Sequence, residues 1–315
     1  MAAAVRSLAV VVLLALAVPA AAQTQSGQGS TPGGSPPAAV QQTPGPVGQP
    51  IGQWREQIYW IPMAEASGAQ RLLYARLCRP TGETPARVVV YAHGTPADAS
   101  ARVRVAPPSC DSEAFRWFLT RGYAVIASVR RGYGATGGAY AENQGSCDNA
   151  DFVNPGLEAA RDVAATVDYA ATLPFLRPQG MVVIGLSTGG FTTIAYDSVP
   201  HPRVSALINM SGGRGGHHNN QPNSNCNPNG LAVAAGRFGA SASTPMLWVY
   251  TANDSFFSPQ IAAAMYAAFT QAGGRADFQA LSEFGSDGHD LFMLPGGSGI
   301  WGPLVERYLA GRSTQ

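Results

Sequence analysis

The sequence contains no lysine, because every one of the 20 residues in its Lys and Arg count is an arginine. This absence excludes enzymes that act through a lysine amine, such as Schiff-base enzymes, P-loop nucleotide hydrolases and Ser-Lys hydrolases. Arginine cannot serve as the base in their place, since its guanidinium keeps its proton at any working pH. Any chemistry of this chain must use other side chains.

Charge is also scarce in this chain. Only 12% of the 315 residues are charged and the formal net charge is +1, so the sequence lacks the basic surface that nucleic-acid binding requires. We therefore expect no nucleic-acid partner. The 37 glycines and 24 prolines predict many loops, a linker, or both. The composition leaves the oligomeric state open.

The first 22 residues have the pattern of a secretory signal peptide. Arg6 precedes an apolar run at residues 8–18, and three alanines at 20–22 offer a cleavage site. The run is too short to span a bilayer comfortably, although a retained N-terminal anchor is the alternative. The pattern predicts an exported protein, periplasmic or secreted, with no stable membrane insertion after cleavage.

Residues 23–50 consist largely of Gln, Ser, Thr, Gly and Pro and offer almost nothing to bury. This composition is typical of a disordered linker. We therefore predict one folded domain over residues 51–315, which is long enough to bury a large core.

Four cysteines remain after the signal segment, and an even count in an exported protein favours two disulfides. We prefer a pairing of Cys147 with Cys226, which leaves Cys78 with Cys110. A metal site is the alternative. No two of the cysteines have the close spacing of zinc ligands, so we expect no metal.

Apolar runs alternate with helical patterns from residue 57 onward. The runs at Arg87–Ala92, 124–129 and 181–184 are continuous, as expected for strands covered on both faces. Helical spacing follows at 157–173 and 188–197. The alternation predicts a mostly parallel, doubly wound sheet of about eight strands with helices on both faces. In such sheets, functional residues collect at the carboxyl ends of the strands.

The strand at 181–184 is followed by Gly-Leu-Ser-Thr-Gly at residues 185–189. A G-x-S-x-G turn between a buried strand and a helix is typical of a nucleophile elbow, which exposes the serine at the rim of the sheet. Ser187 is therefore the candidate nucleophile. The backbone N–H of Thr188, at the start of the helix, is a candidate oxyanion donor. A glycine-rich turn capped by a serine is the alternative.

The strand at Arg87–Ala92 is followed by His93, Gly94, Thr95 and Pro96. A second oxyanion donor is expected here, and Pro96 has no N–H, so the candidate is the backbone of Thr95. In proteins with a nucleophile elbow, the base follows both the nucleophile and the acid along the chain, whereas His93 precedes Ser187. We therefore expect His93 to hold the loop in place.

Two later strand ends supply the remaining candidates. Asp254 follows a strand and precedes His289, the last of five histidines. His289 is the candidate base, and Asp254 the acid that orients it. Asp287 and Asp290 compete for the acid role, but both adjoin His289 on one short loop, from which facing the imidazole is awkward.

Two glycine-rich segments need separate interpretations. Residues 132–137 match G-x-G-x-x-G, but more loop follows instead of a helix, so we expect no dinucleotide and no other cofactor. Residues 212–230 should overhang the site, where His217 and His218 could contact substrate or a metal; a polar surface loop is the alternative. Tyr133 and Phe256 are candidate pocket walls, with core packing as the alternative.

These motifs together resemble the α/β-hydrolase superfamily over about residues 55–312. The matching positions are His93-Gly94, the Arg131–Gly134 loop, the elbow at 185–189, Asn253-Asp254 and 287–289. Within the superfamily, the chain resembles dienelactone-hydrolase-like and prolyl-oligopeptidase-like (S9) serine hydrolases of exported bacterial type. The resemblance implies a triad of Ser187, Asp254 and His289, with backbone donors at Thr95 and Thr188.

The chain departs from both subfamilies. Dienelactone hydrolases are cytosolic and use a cysteine nucleophile, and prolyl oligopeptidases carry a β-propeller for which this chain has no room. We expect an exported serine hydrolase that cleaves a small-molecule carboxylic ester through an acyl-enzyme. A serine peptidase acting on short peptides is the first alternative, with Glu283 and Asp287 as a weak pair for an amine. A non-catalytic binding protein on a hydrolase scaffold is the second.

Overall fold

The computed structural model describes residues 42–312, which form one sheet flanked by helices. The strands are Gly45–Ile51 (β1), Glu56–Ala64 (β2), Gln70–Cys78 (β3), Arg87–Ala92 (β4), Tyr123–Ser128 (β5), Met181–Leu186 (β6), Val204–Met210 (β7), Met246–Thr251 (β8) and Ala276–Leu281 (β9). The helices are Glu113–Leu119 (α1), Val153–Ala170 (α2), Thr188–Asp197 (α3), Pro228–Gly239 (α4), Pro259–Gln271 (α5) and Ser298–Ala310 (α6).

The nine strands lie in the order β1-β2-β3-β5-β4-β6-β7-β8-β9. The six strands from β5 to β9 in this order are parallel, whereas β1, β2 and β3 form an antiparallel edge that joins β5. The order confirms the mostly parallel, doubly wound sheet. It places the ends of β4 and β6 side by side, so that the loops after them meet at the same edge of the sheet.

The sheet has an apolar core on each face. Successive residues of β4 alternate between them: Val88 and Val90 lie in one core, Val89 and Tyr91 in the other. Helices α2, α3, α4 and α5 cover the first face, and α1 and α6 cover the second. A central strand must therefore be apolar at every position, which is why these strands appear in the sequence as continuous runs.

Strand β1 corrects the predicted linker. The sequence assigns residues 23–50 to a disordered segment, yet Gly45–Ile51 pairs antiparallel with β2. Its side chains are mostly exposed, and it is joined to β2 by backbone pairing and a 2.6 Å bond from Gln57 Nε2 to the carbonyl of Gly48. Composition cannot detect a strand that buries so little. Residues 1–41, with the predicted signal peptide and the rest of the linker, lie outside the described residues.

The structure also corrects the interpretation of residues 212–230 as loop, because helix α4 begins inside this segment. Asn227 caps it by accepting a hydrogen bond from the N–H of Gly230, and Pro228 occupies the first turn. The buried positions Leu231, Ala234 and Phe238 have helical spacing. Small residues among them weaken the apolar pattern of this helix in the sequence, but the Asn cap followed by a proline is a signal of a helix start.

Both disulfides join the cysteines in the preferred pairing, Cys78 with Cys110 and Cys147 with Cys226. The first is fully buried beside β3. The second ties the segment after residue 212 to the loop before α2. Among residues 42–312, no helix is long and apolar enough to cross a membrane.

Candidate active site

The turn between β6 and α3 holds Ser187 in a conformation that few non-glycine residues adopt, with φ 58° and ψ −124°. Two glycines make the turn sterically feasible. A Cβ on Gly185 would lie 2.0 Å from the carbonyl oxygen of Gly189, and a Cβ on Gly189 would lie 2.0 Å from that of Ala92. The glycines of the motif are thus required by backbone approach, and the geometry is that of a nucleophile elbow.

The loop after β4 packs directly against this turn. A Cβ on Gly94 would lie 3.1 Å from the Cβ of Ser187, so a larger residue there would crowd the serine. Thr95, Ser187 and Thr188 line one cavity of about 290 Å³. Within residues 42–312, neither the Thr95 N–H nor the Thr188 N–H has a hydrogen-bond acceptor. Two free donors therefore share this cavity with the serine.

Asp254, which follows β8, and His289, which follows β9, lie in contact with each other. The imidazole Nδ1 lies 3.0 and 3.1 Å from the two carboxylate oxygens of Asp254. Asp254 is buried and also accepts hydrogen bonds from the backbone N–H groups of Phe256 and Phe257. A carboxylate at Nδ1 requires the proton there, so Nε2 of a neutral His289 is left as the basic atom.

Asp287 has a different position from Asp254. It accepts the backbone N–H of His289 at 3.0 Å, together with the N–H and the hydroxyl of Ser255. Burial alone would raise the pKa of Asp287, but these donors outweigh it and lower the pKa. Asp290 is exposed. Of the three acids, the structure brings Asp254 alone to the imidazole ring.

No hydrogen bond joins Ser187 Oγ to His289 Nε2 within the described range of the chain. Phe256 stacks on the imidazole, with ring centroids 4.2 Å apart, and covers it. Hydrogen bonds between catalytic groups are often long before substrate binds. The missing bond is therefore no argument against Ser187 and His289 as a pair.

His93 holds the loop after β4 in place, as expected. Its Nε2 accepts the backbone N–H of Arg130 at 3.0 Å, and its Nδ1 donates to the carbonyl of Gly94 at 2.6 Å. Burial and the charge of Arg130 lower the pKa of His93 to about 3. A neutral ring with both nitrogens engaged can position Gly94 but cannot act as a base.

A buried ion cluster beneath the cavity was not predicted from the sequence. Glu142 pairs with Arg130 at 2.5 Å and with Arg214 at 2.7 Å, and Arg130 also donates to the carbonyl of His93. Burial alone would raise the pKa of Glu142, but the two guanidinium charges outweigh it and lower the pKa to about 2. These residues are too far apart in sequence to form a motif.

The structure brings three of the four predicted contact residues to the cavity: His217, His218 and Phe256 line it. The fourth, Tyr133, is fully buried and does not line it; its hydroxyl lies 2.6 Å from the Thr95 hydroxyl. This corrects the prediction of a pocket wall, because the polar tip of Tyr133 is used in positioning Thr95. The segment 132–137 contains a 3₁₀ turn at Gly134–Thr136 in place of the helix that a dinucleotide site needs.

One group of metal-ligand types exists among the described residues: Cys147, His218 and Cys226, whose ligand atoms lie within 4.8 Å of one another. The two cysteines form a disulfide. Since metal binding requires thiolates, this group cannot hold a metal while the bond is intact.

Solved structures share this fold at low sequence identity. A protein assigned as a dienelactone hydrolase from Klebsiella pneumoniae superposes with a TM-score of 0.54 at 15% identity, over 81% of this chain and 98% of that one. The acetyl xylan esterase of Paenibacillus sp. R4 superposes with a TM-score of 0.56 at 15% identity, over 84% of this chain and 88% of that one. The acylaminoacyl peptidase of Pyrococcus horikoshii superposes with a TM-score of 0.56 at 13% identity, over 82% of this chain. The match covers 42% of that peptidase, so this chain spans less than half of it.

In sequence, no curated protein matches the chain. A family model, X-Pro dipeptidyl-peptidase (S15 family), matches residues 68–244. This range is more than half of the chain and contains Ser187, although it ends before Asp254 and His289. With the sheet order and the elbow, the match identifies a hydrolase of the α/β-hydrolase type, and the chain belongs to the X-Pro dipeptidyl-peptidase (S15) family.

Proposed function

We propose that the protein is an exported serine hydrolase that cleaves carboxylic esters. Ser187 is the nucleophile, His289 the general base and acid, and Asp254 the group that orients His289. The observation that carries the proposal is the contact between His289 Nδ1 and Asp254. Phe256 stacks on His289 and lines the same cavity as Ser187, the serine of the elbow turn. The backbone N–H groups of Thr95 and Thr188 supply the oxyanion site.

The proposed cycle consists of acylation of Ser187 and hydrolysis of the acyl-enzyme. His289 Nε2 takes the hydroxyl proton while Ser187 Oγ bonds to the ester carbonyl carbon, and the resulting oxyanion accepts the Thr95 and Thr188 N–H groups. The carbon–oxygen bond then breaks, and the leaving alkoxide takes the proton from His289. A water molecule repeats the sequence on the acyl-enzyme, which releases the carboxylic acid and restores Ser187.

An ester is favoured over a peptide by the charge of the cavity. A peptidase that holds a free amino terminus needs carboxylates in its site, and no Asp or Glu lines this cavity within residues 42–312. Glu283 is exposed, and Asp287 is engaged by Ser255 and His289. Family membership favours the second candidate, a serine peptidase.

The deciding experiment combines active-site labelling with paired substrates. We expect a fluorophosphonate probe to label the protein and Ser187→Ala to remove the label; equal labelling of that variant would overturn the nucleophile. We expect 4-nitrophenyl acyl esters to react and X-Pro 4-nitroanilides to be slower by kcat/KM. Faster anilide turnover would establish the peptidase instead. Absence of labelling in the wild type would favour a non-catalytic binding protein.

Export is proposed from the pattern of residues 1–22, and two disulfides are compatible with it. Fractionation of cells that express the full chain tests this. We expect a processed protein that lacks the first 22 residues in the periplasm or medium. Full-length protein retained in the cytoplasm would contradict it.

A further inference from the structure

Arg102 lies in the 3₁₀ helix Ala99–Arg104 and lines the cavity that contains Ser187. Its side chain makes no hydrogen bond or ion pair with any residue in the range 42–312, and its Nε is buried without a partner. A desolvated guanidinium nitrogen without an acceptor is costly. The Nε of Arg214 also lacks a partner, but the Arg214 guanidinium bonds Glu142 through Nη2, so within residues 42–312 Arg102 is the lining arginine whose whole side chain lacks an acceptor.

The guanidinium of Arg102 is nevertheless held in place. Its central carbon lies 3.8 Å from the centroid of the Tyr140 ring, and Tyr140 lines the same cavity. Tyr140 is in turn positioned by the hydroxyl of Tyr133, 3.3 Å away. Stacking on an aromatic face orders the planar guanidinium before a ligand arrives, so less side-chain entropy is lost on binding.

The other charges at the cavity have the same sign. Arg214 also lines it, and it shares the single carboxylate of Glu142 with Arg130, which leaves that buried cluster with one excess positive charge. The described lining contains no Asp or Glu. Asp254 lies nearby, but it is buried against His289. The cavity therefore attracts anions and disfavours cations.

We propose that Arg102 binds a carboxylate on the substrate, so that the preferred substrate is an ester with a negatively charged acyl or alcohol part. This inference rests on the proposed ester hydrolysis at Ser187 and names its substrate class. The carboxylate forms charge-assisted hydrogen bonds with the guanidinium and satisfies the buried Nε. It also gives the enzyme a basis for rejecting substrates with a free amine.

Matched substrates test the proposal and distinguish the two sides of the ester. The acyl side is tested with 4-nitrophenyl hexanoate, mono-4-nitrophenyl adipate and 4-nitrophenyl 6-aminohexanoate, which differ in terminal charge. The alcohol side is tested with 4-acetoxybenzoate and its methyl ester. We expect the anionic member of at least one set to have about tenfold higher kcat/KM than the neutral one, and the preference to fall in 0.5 M NaCl.

Variants assign that preference to one side chain. We expect Arg102→Gln to remove this preference, measured as the ratio of kcat/KM for the anionic ester to kcat/KM for the neutral ester, and Arg102→Lys to retain part of it. Arg104→Gln is the matched control, since Arg104 is exposed on the same 3₁₀ helix and does not line the cavity. An equal preference in Arg102→Gln and wild type would overturn the proposal, as would equal rates for charged and neutral esters.

A binding measurement separates this inference from the proposed function. Calorimetric titration of Ser187→Ala with adipate and with 4-hydroxybenzoate needs no turnover, and 1,6-hexanediol serves as the neutral control. Wild type that is not labelled by a fluorophosphonate contradicts the hydrolase, whatever binds. If the wild type is labelled but Ser187→Ala binds neither anion, the role of Arg102 is contradicted and the proposed hydrolase is not.

Discussion

Phe256 lies nearly face to face with His289, with ring centroids 4.2 Å apart and planes inclined by 25°. His217 stacks on Phe256 in turn, at 3.5 Å and 5°, and its Nε2 lies 2.8 Å from the hydroxyl of Ser255. Ser255 donates to Asp287, the acid that accepts the backbone N–H of His289. The imidazole is thus held through its ring by stacking and through its backbone by Asp287.

The stack predicts the effect of Phe256→Ala. Without the aromatic ring the imidazole can rotate away from Ser187, and small misplacements of a reacting group cost up to about a hundredfold in rate. We expect kcat for a 4-nitrophenyl ester to fall by about tenfold or more and KM to change less. Phe175→Ala, at a half-buried ring remote from the cavity, is the control. An unchanged kcat in Phe256→Ala would show that stacking does not position the base.

Asp254→Asn tests which acid acts on the imidazole. The amide oxygen can still accept the N–H groups of Phe256 and Phe257, so the fold should persist. The amide cannot, however, stabilise an imidazolium, and we expect kcat to fall by about 10⁴-fold. Asp290→Asn, at an exposed position on the same loop as His289, should change kcat by less than threefold. Comparable losses in the two variants would contradict the assignment of Asp254.

Gly189→Ala tests the close approach at the elbow. Its Cβ would lie 2.0 Å from the carbonyl oxygen of Ala92, so β4 and α3 must separate, which displaces Thr95 and Thr188. We expect activity to be lost and the unfolding free energy to fall by at least about 2 kcal/mol. Gly299→Ala in α6 is the matched control, because nothing lies within 4 Å of its Cβ. There we expect no loss of activity and a stability gain of up to about 1 kcal/mol.

The predictability of each feature follows from how local its cause is. The turn at Ser187 has a local G-x-S-x-G pattern, and the central strands are continuous apolar runs because both of their faces are buried, so both could be predicted from the sequence. Strand β1 depends on backbone pairing with a distant segment, and no composition signal marks it. Glu142 and Arg214 are 72 residues apart, and their pairing depends on the tertiary fold. Arg102 could not be distinguished from other arginines until the structure placed it in the cavity without a side-chain hydrogen bond.

The two disulfides should differ in what their removal changes. Each closes a long loop, so replacing either pair by serines should cost roughly 4 kcal/mol of stability. Cys226 lines the cavity, and its Sγ lies 3.4 Å from His218 Nδ1. We therefore expect Cys147→Ser with Cys226→Ser to raise KM for esters severalfold at a temperature where the variant is folded. Cys78→Ser with Cys110→Ser, remote from the cavity, should leave KM unchanged; equal changes in KM would contradict a local effect.

Glu142 should make stability depend on pH in the acid range. Its pKa is lowered to about 2 in the fold, below the ordinary value near 4.3, so its stabilising contribution is present above the ordinary pKa and is lost as pH falls toward 2. That contribution is on the order of 3 kcal/mol. Replacement by Gln leaves Arg130 and Arg214 without a carboxylate, which costs about 3–5 kcal/mol at neutral pH.

Urea unfolding at pH 7, 5, 4, 3 and 2 measures this contribution as the difference between wild type and Glu142→Gln. We expect the difference to be largest at pH 5 and above and to shrink below pH 4.5, because protonation removes from the wild type the charge that the variant already lacks. Glu83→Gln, at an exposed glutamate, should differ from wild type by less than about 0.5 kcal/mol throughout. A difference between wild type and Glu142→Gln that stays constant from pH 5 to pH 2 would mean that folding leaves the pKa of Glu142 unchanged, and that the two arginines do not stabilise its charge.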